Sequence, residues 1–373
     1  MISQLKTFTR KMAAGANVAT IAVMLLVGFS DYVNPASHPI LSLVGLTFPF
    51  LLVINLGFLI FWLIFCKRMA IIPFLGFVVA YAPVHTYIPF NIPHDTPIGA
   101  IKVMSYNVHG FNGRGSEHDP NAANDIIEYF RKSKPDILCL QEDYGWTQTL
   151  VKDKMDSLFA HHDYATFGSV QLNNSISIYT RFPIIKKEII PYESKGNGSC
   201  AFYLDINGKT VVVVNNHFES NCLTADDKSR YKKIIKKAIE GEAAESDTKY
   251  IAGKLAEASK KRAPQADAVH EYVERVKKTY PVIVTGDFND NPISYTRRVM
   301  AKGMTDCYVE TARGLGLSYN QKGFFVRIDN IMCSDHFIPY NCHVDDTSGI
   351  DNDTIVSEET FNQIKEKYGQ GDC

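Results

Sequence analysis

The most constraining feature of the sequence is a long apolar stretch near its N-terminus. Residues 40–66 contain no charged side chain, and about 20 apolar residues are enough for a helix to cross the roughly 30 Å hydrocarbon core of a membrane. Two more uncharged stretches, Met12–Ser30 and Met69–Phe90, flank it, and prolines interrupt the latter. The sequence therefore predicts a membrane region over residues 1–90 with about three transmembrane helices.

The first apolar stretch has a second interpretation. Lys6, Arg10 and Lys11 precede it, as the basic segment of a secretory signal peptide would. However, no convincing small-residue cleavage site precedes Asp31, and two further apolar stretches follow. We therefore interpret it as a membrane span.

The positions of lysine and arginine predict the orientation of this region, because loops on the cytoplasmic side carry an excess of these residues. Cations precede the first stretch, and Lys67 and Arg68 separate the second from the third, whereas residues 31–39 contain none. The N-terminus is thus predicted to be cytoplasmic. After three crossings, the rest of the multi-pass chain lies on the non-cytoplasmic side; with two crossings it faces the cytoplasm.

The rest of the chain has an ordinary soluble composition. The whole sequence is 46% hydrophobic and 21% charged, which excludes a disordered chain. Its net charge of −1 argues against binding nucleic acid by bulk basicity. Residues 91–100 are predicted to be a proline-containing linker, and residues 101–373 a single domain. Short β-branched runs alternate there with helical stretches, which favours an α/β fold.

Polar residues follow several of the strand-like runs. In α/β sheets, ligand-binding groups collect at the carboxyl ends of the strands. Five runs carry such residues at or near their ends: Ile101–Tyr106, Asp136–Leu140, Thr210–Val214, Val282–Thr285 and Phe324–Ile331. The candidate site residues that accompany them are Asn107, Glu142, His217, Asp287, Asn289 and Asp329.

These residue types suit the hydrolysis of a phosphate ester. The oxygens of Glu142 and Asn107 are suitable ligands for Mg²⁺ or Mn²⁺, and such an ion polarises a phosphoryl oxygen. Asp287 is suited to orient or deprotonate the attacking water, and the Asn289 amide to donate to a non-bridging oxygen. His217 is suited either to contact the phosphate or to protonate the leaving oxygen.

An ordered set of motifs resembles a known superfamily. The motifs are SYNVHGF (105–111), CLQE (139–142), YTRFPI (179–184), NNHFES (215–220), TGDFND (285–290) and RIDNI (327–331). Together they resemble the endonuclease/exonuclease/phosphatase superfamily, whose members have a deoxyribonuclease-I-like fold. The resemblance implies a four-layered α/β sandwich, in which two packed β-sheets are flanked by helices and which here follows N-terminal transmembrane helices.

The resemblance also implies roles for individual residues. It places Asn107 and Glu142 near the metal, His217 against the phosphate, and Asp287 with Asn289 around the water and phosphate. Asp329 would orient a catalytic histidine. Arg262 precedes the GDFN strand; it could approach the phosphate, but we interpret it as part of a surface ion pair.

The sequence departs from the superfamily at the terminal Ser-Asp-His motif, which normally follows the RID aspartate by about 20–40 residues. Here the motif is at 334–336, so His336 is only seven residues after Asp329; in one extended strand the two would be up to ~23 Å apart. The expected place, 349–356, contains no histidine. The candidates for the missing function are His336 through an unusual turn, His343, or a metal-bound hydroxide, with Asp351 or Asp353 as a further metal ligand.

The leading hypothesis is a membrane-anchored, metal-dependent phosphoesterase that hydrolyses a phosphodiester or phosphomonoester. Its substrate would be nucleic acid or a lipid or inositol headgroup, and no protein partner is predicted. The alternative is a catalytically impaired, phosphate-binding membrane protein that has lost the terminal Asp-His pair.

Overall fold

The computed structural model describes residues 2–111, 122–144, 148–168, 174–240, 244–321, 324–345 and 356–361. Its N-terminal region is helical because the chain there is apolar and almost uncharged. The α-helices of this region are α1 (Ile2–Gly28), α2 (Phe48–Phe65), α3 (Ile71–Val79) and α4 (Tyr81–Tyr87). Short 3₁₀ turns cover Ser30–Tyr32, Leu41–Thr47 and Lys67–Ala70.

Two of these helices, α1 and α2, are long and apolar enough to cross a membrane. The third predicted span is divided, because α3 and α4 meet at an angle of 72° and form one span only if the bent pair is counted together. Pro83 contributes to this break, since it has no N–H to donate to the carbonyl of Val79 four residues earlier.

Buried polar side chains join the three longer segments of this helical region. The Asn17 amide donates to Asn55 Oδ1 over 3.1 Å, and the Trp62 indole N–H donates to Asn17 Oδ1 over 3.3 Å. The amide of Asn55 in turn donates to the carbonyl of Pro73 over 3.0 Å. Polar groups in apolar surroundings are satisfied by such bonds between helices, so this network fixes how α1, α2 and α3 pack.

The second region contains two mixed β-sheets. The first has the strand order β13-β14-β1-β2-β4-β3 and the second β5-β6-β7-β8-β12-β9. The strands of the first are β1 (Ile101–Asn107), β2 (Ile137–Gln141), β3 (His161–Phe167), β4 (Asn174–Thr180), β13 (Pro339–Asp345) and β14 (Val356–Phe361). Those of the second are β5 (Ile184–Ile190), β6 (Ser199–Ile206), β7 (Lys209–His217), β8 (Val282–Asp287), β9 (Thr305–Asp306) and β12 (Asp329–Cys333).

Helices cover the outer faces of the two sheets. The helices of this region are α5 (Ala122–Ser133), α6 (Thr149–Leu158), α7 (Ala225–Glu240), α8 (Glu245–Val276), α9 (Tyr295–Ala301) and α10 (Cys307–Thr311), of which α10 packs into the core between the sheets. Side chains of α5 and α6 pack on the first sheet, and side chains of α8 and α9 on the second. The structure therefore confirms the predicted four-layered α/β sandwich with two packed, helix-flanked sheets.

Strand β7 shows why the central strands are uninterrupted apolar runs. Val211 and Val213 face the core between the sheets, whereas Val212 and Val214 face α8. A strand that is buried on both faces needs apolar residues at every position. The parallel pairing of β7 with β8 and of β1 with β2 brings the carboxyl ends of these strands to one end of the sandwich.

One predicted strand, Phe324–Ile331, is two strands in the structure. Its first part is β11 (Phe324–Val326), which forms a hairpin with β10 (Tyr319–Gln321), and β12 begins at Asp329 in the second sheet. The Ser318 hydroxyl accepts hydrogen bonds from the N–H groups of Ile328 and Asp329. The strand prediction failed here because this side chain takes the donors that a continuous ladder would use.

Gly286 is required where β7 and β8 approach each other. Its φ is +131°, and a Cβ built there would lie 1.9 Å from the carbonyl oxygen of Asn216. We expect Gly286→Ala to lower the melting temperature of the full-length protein by several degrees, because the clash and backbone strain cost at least ~2 kcal/mol. Gly253→Ala is the control, since Gly253 lies in α8 with nothing within 4 Å and alanine favours a helix. Equal melting temperatures for both variants would contradict this account of the strand contact.

Candidate active site

Side chains from both sheets meet at the carboxyl ends of β1, β2, β7 and β8. The Asn107 amide donates to Glu142 Oε1 over 3.1 Å and to Asp287 Oδ2 over 3.3 Å. Asn107 and Glu142 follow neighbouring strands of the first sheet, whereas Asp287 ends β8 of the second. The structure thus brings together residues that are far apart in the sequence, as the strand-end pattern predicts.

His217 completes this group at the end of β7. Its Nε2 lies 3.7 Å from Glu142 Oε1 and 3.9 Å from Asp287 Oδ2. The side chain is buried, and within the described part of the chain its Nδ1 has no hydrogen-bond partner. His217, Glu142 and Asp287 therefore surround a common point at separations longer than a hydrogen bond.

Two aspartates lie side by side in the second sheet. Asp329 is directly opposite Asp287 in the antiparallel pair β8–β12, and among the described residues neither of its carboxylate oxygens has a hydrogen-bond partner. Burial, together with the charge of Asp287, raises the pKa of Asp329 well above its ordinary value. Burial also raises the pKa of Asp287, although His217, Asn289 and Asn107 partly oppose this shift. The pair therefore favours holding a proton.

Glu142 behaves in the opposite way. Burial opposes its ionisation, but the His109 hydrogen bond, the nearby His217 and the Asn107 amide together lower its pKa to about 2. His109 Nδ1 lies 3.0 Å from Glu142 Oε2. No sequence pattern indicates a role for His109, although it lies within the SYNVHGF motif two residues after Asn107. Glu142 is thus an anion at neutral pH.

Asn289 is held in the loop that follows β8. Its φ is +52°, its N–H donates to Asp287 Oδ1 over 2.8 Å, and its side-chain amide donates to the carbonyl of Phe218 over 3.0 Å. These bonds join the loops after β7 and β8. Donation from the Asn289 amide to a phosphate oxygen stays a prediction.

The suggestion that His336 serves the site through an unusual turn is wrong. Backbone and side-chain bonds between Ser334 and Val282 place the motif at the start of β8, which is five residues and therefore ~16 Å from Asp287. Because β12 runs antiparallel to β8, continuing past Cys333 carries the chain away from the site. Asp335 and His336 belong to the opposite end of the sandwich.

His343 is also misplaced for this role. It contacts Asp345 at 3.0 Å, and Asp345 accepts a hydrogen bond from Tyr129 of α5 on the outer face of the first sheet. Asn107 faces the inner side, toward β8. Asp351 and Asp353, the other candidates, lie outside the described residues.

Arg262 is not a surface residue, so this prediction is wrong as well. It is 2% exposed, and its guanidinium lies 3.4 Å from Asp290 while donating to the carbonyl of Glu219 over 3.0 Å and to Asn221 Oδ1 over 2.9 Å. The loops after β7 and β8 fold over this part of α8 and bury it. Arg262 therefore supports both loops that carry candidate site residues, without contacting the carboxylates of the site.

The set of side chains fits a hard divalent cation. Mg²⁺ needs only one or two protein carboxylates, because waters and substrate phosphates complete its coordination. Here the carboxylates of Glu142 and Asp287 both lie against the Asn107 amide group, whose nitrogen donates to them and whose Oδ1 accepts from the His109 N–H over 3.1 Å. In the part of the chain that the structure describes, no group of three or more His, Cys, Asp or Glu residues is arranged to hold a metal by itself. The site thus suits a cation that is held partly by substrate.

Comparisons with solved structures agree with the fold. An endonuclease/exonuclease/phosphatase from Beutenbergia cavernae is 14% identical with a TM-score of 0.51, over 71% of this chain and 72% of that one. A family protein from Leptotrichia buccalis is 13% identical with a TM-score of 0.50, over 70% and 100%. The human Nocturnin catalytic domain with bound sulfate is 15% identical with a TM-score of 0.50, over 73% and 95%. At these identities the likeness is one of fold.

Sequence comparison identifies the family directly. The family model described as Endonuclease/Exonuclease/phosphatase family matches residues 104–357, so this chain belongs to that family, as its motifs indicate. A second model, a domain of unknown function (DUF8431), matches residues 10–87. No curated protein matches the chain by sequence.

The buried Arg262–Asp290 pair generates a stability prediction. Arg262→Met should lower the free energy of unfolding by ~3 kcal/mol, because it leaves the Asp290 carboxylate buried without its cation. Thermal melting of the full-length protein measures the loss. The double variant with Asp290→Asn should recover part of it, and a single variant as stable as the original protein would show that the pair contributes little.

Proposed function

We propose that this protein is a membrane-anchored, metal-dependent phosphoesterase. The observation that carries the proposal is the convergence of Asn107, Glu142, His217 and Asp287 at one end of the sandwich. Membership in the endonuclease/exonuclease/phosphatase family supports a phosphoric ester hydrolase. The apolar helices α1 and α2 support the anchor.

Glu142 and Asn107 would hold Mg²⁺ or Mn²⁺ in this proposal. A bound ion of this kind supplies a Lewis acid that polarises the phosphoryl group. Glu142 is suited to it because a carboxyl with a pKa of about 2 stays charged at neutral pH.

The remaining residues act on the water and the phosphate. Asp287 orients the attacking water and accepts its proton, which its raised pKa favours. His217 and the Asn289 amide donate to phosphate oxygens as negative charge develops there. Asp329 lies opposite Asp287 and affects the charge environment of that carboxyl group.

The substrate is a phosphate ester of nucleic acid or of a phospholipid headgroup, presented near the membrane that holds the enzyme.

The helical region supports an orientation of the domain relative to the membrane. The ends of α1 and α4 nearest the domain are Gly28 and Tyr87. The cations at Lys67 and Arg68 follow α2, which begins beside the domain and runs away from it. With cations on the cytoplasmic side, the domain is non-cytoplasmic in this multi-pass arrangement.

The competing function is phosphate binding without hydrolysis. One observation favours this function: among the described residues, no histidine contacts the Asp329 carboxylate. The two functions differ in turnover, so one assay separates them.

Removing Asp287 tests turnover. We expect the full-length protein to hydrolyse bis-p-nitrophenyl phosphate with Mg²⁺, and Asp287→Ala to lower the rate at least ~100-fold, because the water then loses its base. Asp335→Ala is the matched control, since Asp335 is 83% exposed and at the opposite end; it should retain full activity. Phosphate binding without turnover in the original protein would instead support the competing function.

Glu142 tests metal dependence. Removal of divalent cations by a chelator should abolish hydrolysis, and added Mg²⁺ should restore it. Glu142→Gln should raise the Mg²⁺ concentration for half-maximal activity ~10-fold or more, because a neutral amide holds a dication less strongly. Activity that persists in the chelator, or an unchanged Mg²⁺ requirement in the variant, would contradict the assignment.

A further inference from the structure

The loop that leaves the candidate active site is packed against the membrane region. After Asp287 and Asn289, the chain reaches Ile293, which is 1% exposed. Its side chain belongs to an apolar cluster that otherwise consists of residues from the helical region: Met24, Val27, Phe48, Leu52, Ala80 and Tyr87. Among the described residues, Ile293 is therefore the one member of this cluster that comes from the sandwich domain.

The backbones of the two regions also touch at this point. A Cβ built on Gly45, in the turn between α1 and α2, would lie 2.2 Å from the carbonyl oxygen of Ile293. A carbonyl is part of the main chain and cannot rotate away as a side chain does. Only glycine at position 45 permits this approach.

Side-chain hydrogen bonds to backbone N–H groups order the loop between this contact and the site. Asp287 Oδ1 accepts from the N–H of Asn289, Asp290 Oδ1 from that of Asn291, and Asn291 Oδ1 from that of Ile293, over 2.8, 3.0 and 2.9 Å. Four peptide units join Asn289 to Ile293, so their Cα atoms are at most ~15 Å apart. Ile293 and Asn289 therefore belong to one short, internally hydrogen-bonded loop.

Polar contacts surround the apolar cluster. Arg298 lies 3.7 Å from Asp31 with its guanidinium over the Tyr32 ring, and the Asn34 amide donates to the Tyr295 hydroxyl over 3.2 Å. A membrane region that served only as a tether would need none of these contacts. They indicate that the helices and the loop after β8 are held in a fixed relative position. We call the contact between Gly45 and Ile293, together with the polar contacts around it, the joint.

We infer that the membrane helices are part of the catalytic apparatus, because they hold the loop of Asp287 and Asn289 in its working position through Ile293. Ile293 is a positioning residue, and Gly45 is the residue against which its backbone packs. This inference rests on the proposed phosphoesterase activity. It adds that the activity depends on a contact made by the membrane region.

Gly45→Ala tests the inference without changing any residue of the domain. In the full-length protein, we expect it to lower kcat for bis-p-nitrophenyl phosphate ~10-fold while KM changes less than ~3-fold. Hydrogen exchange of residues 287–293 should rise, with that of β5 and β6 unchanged. Gly57→Ala is the control, because Gly57 lies in α2 with nothing within 4 Å, and it should match the original protein in both measurements.

Two outcomes overturn the inference: Gly45→Ala with unchanged kcat and unchanged exchange, or a Gly57→Ala variant that is equally impaired. If Gly45→Ala does not fold, Ile293→Val replaces it as the test. This change removes one methyl group and should give a smaller loss of kcat with the same local rise in hydrogen exchange. An Ile293→Val variant with unchanged kcat and unchanged exchange overturns the inference. An original protein without hydrolytic activity would instead overturn the proposed function, and hydrogen exchange would still decide whether the joint holds the loop.

Discussion

The candidate site depends on one side chain that joins the two sheets. The Asn107 amide donates to a carboxylate of its own sheet, Glu142, and to one of the facing sheet, Asp287. Without this bridge, the partly buried carboxylate of Glu142 and the buried carboxylate of Asp287 would face each other with only His217 between them. Their repulsion would be strong because the surroundings are poorly polarisable. Asn107 thus fixes the distance between the sheets at the place where chemistry is expected.

The surroundings of the two carboxyl groups explain why their pKa values differ. Glu142 has a pKa of about 2, whereas the pKa of Asp287 is raised. Glu142 accepts an additional hydrogen bond from His109, whereas burial and the charge of Glu142 raise the pKa of Asp287. A charged carboxylate next to one that readily takes up a proton is the division of roles that metal binding and water activation need.

The sequence predicted which polar residues follow the strands of the site, but it did not predict how the chain turns between strands. Alternation of β-branched runs with helical stretches predicted the sandwich, and the polar residues after β1, β2, β7 and β8 predicted which side chains meet. The division at Ser318, the burial of Arg262 and the place of His336 depend on contacts between segments far apart in the chain, which no local pattern shows. His109 was missed because one exposed histidine in a motif gives no signal until its carboxylate partner is placed beside it.

The joint at Ile293 affects how the domain can be studied in isolation. A fragment that begins after α4 would expose to water an isoleucine that the full chain covers completely, next to Arg298 without its acidic partner. Apolar surface released in this way promotes self-association. Truncation to gain solubility would therefore produce a protein that is more prone to self-association, with its most disturbed loop beside the candidate active site.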